Sequence, residues 1–138
     1  MADIQASSPI EAAVAALALE AVQAFEWLAA PVPKDAPVSF FPNPGNVGDA
    51  AINLACWRFL SAHFETVEIC APATMPSHPH VFIGGGGNLV DGYYADIATF
   101  LRQLSPQYQI CLFPSTIVGF PNLLTRIAPT ARIICREP

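Results

Sequence analysis

Four consecutive glycines, Gly84 to Gly87, follow the apolar run His80-Val81-Phe82-Ile83 and precede a stretch of helical character. Glycine loses more backbone freedom on folding than any other residue, so a run of four is costly. A fold accommodates it only where side chains have to be absent, for unusual φ/ψ angles or for the close approach of another group. In an open α/β sheet, the carboxyl end of a strand is where ligands come close. The segment Asn43-Pro44-Gly45-Asn46-Val47-Gly48-Asp49 occupies the same kind of place, after Val38-Ser39-Phe40-Phe41 and before another helical stretch. Two such turns on neighbouring strands open onto one crevice.

The 138 residues amount to one domain with a substantial core. Hydrophobic residues make up 53% and charged residues only 12%, about half the charged share of an ordinary soluble domain. Such a composition suits strands buried on both faces, or a surface covered by a neighbour. The net charge of −5, with Lys34 the only lysine and the arginines scattered, provides no basic stripe and argues against nucleic-acid binding. Cys56, Cys70, Cys111 and Cys135 show no C-x-x-C spacing and read as reduced core thiols of a cytoplasmic protein. His78 and His80 have no acidic or cysteine partner at ligand spacing, so no metal site is expected.

Near the N-terminus, Ser8-Pro9-Ile10-Glu11 has the form of a capping box with proline at the first helical position. Val14, Leu17, Ala21, Phe25 and Leu28 then form an apolar stripe at helical spacing. Glu11, Glu20, Gln23 and Glu26 interrupt the apolar run, and no lysine or arginine precedes it. The segment is therefore expected to be an amphipathic helix that packs on the domain, with an interface to a second domain or subunit as the sharper alternative, and not a signal peptide or a transmembrane segment. Pro31, Pro33 and Pro37 end it and form a connector. Residues 1–37 are thus read as helix plus connector, and 38–138 as the domain proper.

From Val38 onward, strand and helix patterns alternate. Strands are expected at 38–41, 66–70, 80–83, 109–113 and 131–135, and helices at 50–63, 97–104 and 122–128. Parallel strands need crossover connections, so the alternation predicts a Rossmann-like α/β fold, a largely parallel sheet with helices on both faces.

The two turns differ in chemistry. In the first, Gly45 and Gly48 allow a tight backbone and Asp49 is placed at the helix N-cap. A carboxylate there repels phosphate, so this turn suits hydroxyl groups such as those of a sugar, helped by the amides of Asn43 and Asn46. In the second, the amides of Gly84, Gly85, Gly86 and Gly87, followed by Asn88, are free to cradle an oxyanion; the alternative is a structural turn that lets the helix pack close to the sheet. A dinucleotide fingerprint would need glycine at 89 or 90, where Leu89 and Val90 stand.

Taken together, Pro44-Gly45-Asn46-Val47-Gly48-Asp49-Ala50-Ala51-Ile52, Gly84-Gly85-Gly86-Gly87-Asn88-Leu89, Phe113-Pro114-Ser115-Thr116-Ile117 and Arg136-Glu137 resemble, in order and spacing, the motifs of the polysaccharide pyruvyl transferase family. The resemblance covers most of this chain and the first half of the family's usual length. It implies the N-terminal half of a two-domain enzyme resembling GT-B glycosyltransferases, with the site in the cleft between two Rossmann-like halves. The implied reaction transfers pyruvate from phosphoenolpyruvate to a sugar hydroxyl pair as a ketal, in exopolysaccharide or cell-wall glycan synthesis. Phosphoenolpyruvate is then the donor substrate and no cofactor is needed. The partners implied are a glycan or lipid-linked sugar acceptor and a C-terminal domain or subunit. Exposed apolar surface, where that half is missing, predicts self-association.

The expected substrate contacts are Asn46, Gly48, Asp49, Gly84, Gly85, Gly86, Gly87, Asn88, Ser115 and Arg136, with Asp49 for a hydroxyl and Arg136 for an anion. No acid/base pair is evident in this half, so the isolated chain is expected to be inactive or incomplete. Two other readings share the fold: a catalytically silent binding or assembly module, and half of a nucleotide-sugar glycosyltransferase.

Overall fold

The computed structural model describes residues 8–71, 74–104 and 106–136; the side chain of Asn88 lies outside the description, as does Glu137 of the last motif. Along the chain run α1 (Pro9–Ala29), β1 (Val38–Phe41), α2 (Val47–His63), β2 (Val67–Ile69), β3 (His80–Ile83), β4 (Gly86–Val90), α3 (Asp96–Gln103), β5 (Gln109–Val118), α4 (Pro121–Ile127) and β6 (Ala131–Cys135). The expected alternation is present, and every pairing between these strands is parallel.

The glycine run corrects the expected strand–turn–helix. β3 pairs with β5 from His80↔Gln109 to Ile83↔Leu112, and β4 resumes on the same strand at Gly86↔Ser115. The register is unchanged across the gap, so β3 and β4 are one long strand kinked at Gly84-Gly85. The helix α3 starts only after a further turn. β5 is correspondingly longer than expected, because Pro114 does not end it. Its pairing with β6 slips between Leu112 and Ser115, and a proline in a central strand is tolerated at such an irregularity. With β3 and β4 counted as one position, the strand order is β2-β1-β3/β4-β5-β6. This is the doubly wound order whose crevice opens where β1 and β3 diverge.

Side chains on the central strands alternate between two cores, as the pleat requires. Phe41, Val81, Ile83, Ile110 and Leu112 face α3 and α4, where Ile97, Leu101, Leu123 and Ile127 meet them. Phe40, Phe82, Cys111 and Phe113 face α1 and α2, packing with Leu28, Cys56 and Leu60. Both faces are buried, which accounts for the continuous apolar strands.

The capping box at the start of α1 forms as expected: Glu11 N donates to Ser8 Oγ and Ser8 N to Glu11 Oε2. The packing of its stripe does not. Only Leu28 and Ala29 are buried and Phe25 half-buried, while Val14, Leu17 and Ala21 are exposed with everything else from Pro9 to Gln23. The helix grips the domain by its last two turns, where Phe25 meets Phe113 edge-on at 4.6 Å and the Arg132 guanidinium lies 4.0 Å over the Trp27 ring. By length and composition it could cross a membrane, but glutamates at 11, 20 and 26 punctuate it.

Among the described cysteines, Cys56, Cys70 and Cys111 are buried and Cys135 is exposed. Burial pushes the Cys56 thiol from 9.0 up to about 11, against an opposing hydrogen bond from the Gly85 backbone. It pushes Cys111 up to about 12, with Arg132 opposing. Both thiols stay protonated in the fold while the unfolded chain ionises near pH 9. The stability they confer is therefore complete below pH 9 and is lost as pH rises through 11 to 12. Denaturant unfolding followed from pH 8 to 12 should show this loss, about 3 kcal/mol from Cys56 alone. A Cys56→Ala, Cys111→Ala variant should show a flatter profile.

Candidate functional site

The kink is held by amide chemistry. After β1 the chain enters a loop at Asn43, whose N–H donates to Asn53 Oδ1 at 3.0 Å, while Asn53 Nδ2 donates back to the Asn43 carbonyl at 2.7 Å. One side chain of α2 thus satisfies both backbone groups of one loop residue. The Asn43 side chain, itself buried, donates from Nδ2 to the Gly85 carbonyl at 3.1 Å. Among the described residues, its Oδ1 has no hydrogen-bond partner. Gly84 N donates to the Phe41 carbonyl at 2.9 Å, so that amide belongs to the sheet and is not free for an anion.

Three of the four glycines are packing positions. A Cβ on Gly84 would strike Asn53 Oδ1 and the Asn43 backbone, one on Gly85 the Pro114 carbonyl, and one on Gly86 the Asp49 carboxylate. Gly86 also has φ +139°, which side-chain-bearing residues rarely adopt. Gly87 differs, because a Cβ there would meet nothing within 4 Å. It lies where β4 slips one residue against β5, between Gly86 and Leu89; such bulges re-aim the backbone and are frequent beside functional sites. Asn88 has its backbone in the same bulged stretch of β4.

The first turn caps α2 differently from the expected arrangement. Asn46, not Asp49, is the N-cap, and its Oδ1 accepts from Gly48 N at 2.7 Å and Asp49 N at 3.3 Å. Asp49 sits one turn in, and its Oδ2 accepts from Asn46 N at 3.0 Å, completing a capping box. The Asp49 carboxylate is wedged between Gly45 and Gly86, either of which would strike it if it carried a Cβ. The first amides of α2 are thus occupied by its own cap, which removes the usual anion site of a helix N-terminus.

These elements frame a cavity of about 590 Å³ at the carboxyl edge of the sheet. Asn46, Gly48, Asp49, Gly87 and Arg136 line it, joined by Tyr94 and Asp96 from beyond β4 and by Pro44, Gly45 and Ile52. The structure therefore brings together five of the expected residues. Gly84, Gly85 and Gly86 support the wall from behind. Ser115 is elsewhere: it is buried within β5, and its Oγ donates to the Phe113 carbonyl at 2.8 Å. Its carbonyl does serve the site, accepting from Arg136 N at 3.1 Å and so fixing where the Arg136 side chain leaves β6.

Tyr94 and Asp96 are site residues that the sequence reading missed. The chain reverses at Asp91-Gly92, with Gly92 at φ +81°, and Tyr94 N donates to the Val90 carbonyl at 2.9 Å. This tight return places Tyr94 and Asp96 opposite the first turn. The Asp-Gly pair after a strand was the available signal. The lining carries two carboxylates, Asp49 and Asp96, and one guanidinium, Arg136. Carboxylate, amide and phenol side chains around one cavity suit a ligand rich in hydroxyls, with room for an anionic group only toward Arg136.

The wall and the support can be separated by substitution. Gly84→Ala forces a methyl against a backbone amide and should cost about 1–3 kcal/mol in denaturant unfolding. Gly87→Ala should leave stability within about 0.5 kcal/mol while narrowing the cavity.

No family model matches the chain, and no curated protein matches it in sequence. The fold is similar to that of a solved, functionally uncharacterized protein from Klebsiella pneumoniae subsp. pneumoniae, with 23% identity and a TM-score of 0.68 over 87% of this chain. The chain spans less than half, 46%, of that protein's length. The likeness is one of fold: a Rossmann-like α/β domain.

Proposed function

We propose that this chain is the acceptor-binding lobe of a transferase acting on sugars, most specifically a polysaccharide pyruvyl transferase. The observation that carries the reading is the cavity at the divergence of β1 and β3, which Asn46, Asp49, Tyr94 and Asp96 line together with a single cation, Arg136, among the described residues. That balance favours a neutral, hydroxyl-rich acceptor over a multiply charged donor. The motif resemblance adds the reaction. One sugar hydroxyl, giving its proton to a base, adds to the phosphate-bearing carbon of phosphoenolpyruvate as the methylene takes a proton from an acid. A second hydroxyl then displaces phosphate, leaving a ketal. Such chemistry needs a base, an acid, and cations for the phosphate and carboxylate. This lobe offers one cation for that work, so the donor's remaining contacts are assigned to a second lobe, in the same chain or in a partner.

The reading is tested by calorimetry of the purified chain against a panel of neutral mono- and disaccharides, phosphoenolpyruvate and nucleotide-sugars. Neutral sugars should bind, and Asp96→Asn should weaken that binding several-fold. Phosphoenolpyruvate should bind more weakly, through a contact that Arg136→Gln removes. Binding of nucleotide-sugars alone would transfer the fold to a glycosyltransferase, and failure to bind any sugar would leave the silent-module reading in its place.

A further inference from the structure

The exposed part of α1 is a surface without an explanation in the site. Ile10, Val14 and Leu17 are 76%, 61% and 65% exposed. They belong to a series, 10, 14, 17, 21, 24 and 28, that recurs at alternating steps of four and three along the helix. That spacing is the 3.5-residue repeat of a two-helix seam. The C-terminal end of the seam is already in use, because Leu28 is buried against the sheet and Ala24 is half-buried. The N-terminal end is the same stripe, left exposed by every described residue.

We infer that this stripe packs against the α1 of a second copy of the chain, antiparallel, with Ile10 over the partner's Ala21 and Val14 over the partner's Leu17. Three observations select this occupant and orientation. The seam is self-complementary in size, its larger N-terminal side chains lying opposite small or medium ones, as an isologous two-fold contact requires. A parallel pair is excluded sterically, because the stripe that faces the partner also faces the domain; two domains on that side at the same level would overlap. Charge selects the register. With Ile10 over the partner's Ala21, Glu11 falls beside the partner's Ala18 and Glu20 beside the partner's Ala13. Sliding the helices to set Leu17 over the partner's Ala21 would bring the two Glu20 carboxylates face to face.

Charge also argues against an anionic bilayer as occupant, since interfacial helices carry lysine and arginine on the polar face and α1 carries none. Leu19 and Val22, 58% and 48% exposed, lie off the seam and are what a bilayer would use in addition. The dimer proposal stands on α1 alone and is independent of the reading of the cavity.

Sedimentation velocity of the purified chain should show a monomer–dimer equilibrium that shifts with concentration, because a contact of two short helices is at the small, weak end of protein interfaces. Leu17→Glu should be monomeric throughout the range, with unchanged thermal unfolding of the domain. In a Cys135→Ser background, Val14→Cys mixed with Leu17→Cys should form an oxidised cross-linked dimer in severalfold greater yield than either variant alone. A chain that stays monomeric at every concentration overturns the inference. So does Val14→Cys alone cross-linking as well as the mixture, which marks a parallel pair. Co-sedimentation of a monomeric chain with phosphatidylcholine–phosphatidylglycerol vesicles, abolished by Leu19→Glu, overturns it in favour of a bilayer.

Discussion

Three elements converge on the point where β3 turns into β4, and the site depends on how closely they approach. The loop after β1 comes in at Asn43, α2 at Asn53 and Ile52, and β5 at the Pro114 carbonyl. None could take its place if Gly84 or Gly85 carried a side chain. The approach is fixed by directional bonds: Asn53 holds both backbone groups of Asn43, and Asn43 in turn holds Gly85. Buried amide pairs of this kind are worth more for the geometry they impose than for net energy. Here the imposed geometry is the close approach of the α2 N-terminus to β4, two of the elements that line the cavity.

The sequence displayed the order of elements and the two-faced sheet because those rest on local signals: apolar runs, helical spacing and capping residues. It also displayed the two glycine-bearing loops as neighbours. What it did not display is pairing. Whether Gly84 to Gly87 turns the chain or continues a strand is decided by β5, some thirty residues downstream, which offers a matching register on both sides of the kink. Pro114 hid the second half of β5 for a related reason, since only the slip against β6 makes a proline tolerable there. Asp49 was misplaced by one helical turn because Asn46 and Asp49 both cap well in isolation, and the box uses both. The exposure of α1 could not be read either, because an apolar stripe looks the same whether or not its far end reaches a core.

The four glycines have therefore separated into two roles. Gly84 to Gly86 make room inside the protein, and Gly87 makes room outside it. The same division runs through the rest of the cavity. Asp49 is buried and bonded within its capping box, whereas Asp96, Tyr94 and Arg136 are exposed. A rigid inner wall with an adjustable outer rim is how a common α/β scaffold can serve different ligands.

β5 borders β3, β4 and β6 and also receives the end of α1, where Cys111 Sγ donates to the Leu28 carbonyl at 3.5 Å across 83 positions of chain. Everything central waits for it. At about 5–20 residues per second, a ribosome makes Leu28 roughly 4 to 17 seconds before it makes Cys111. Throughout that interval α1 lacks the strand on which its end packs. α1 is therefore made well before the strand that seats it, and its apolar face is open to whatever it meets in the meantime, including another nascent copy of itself.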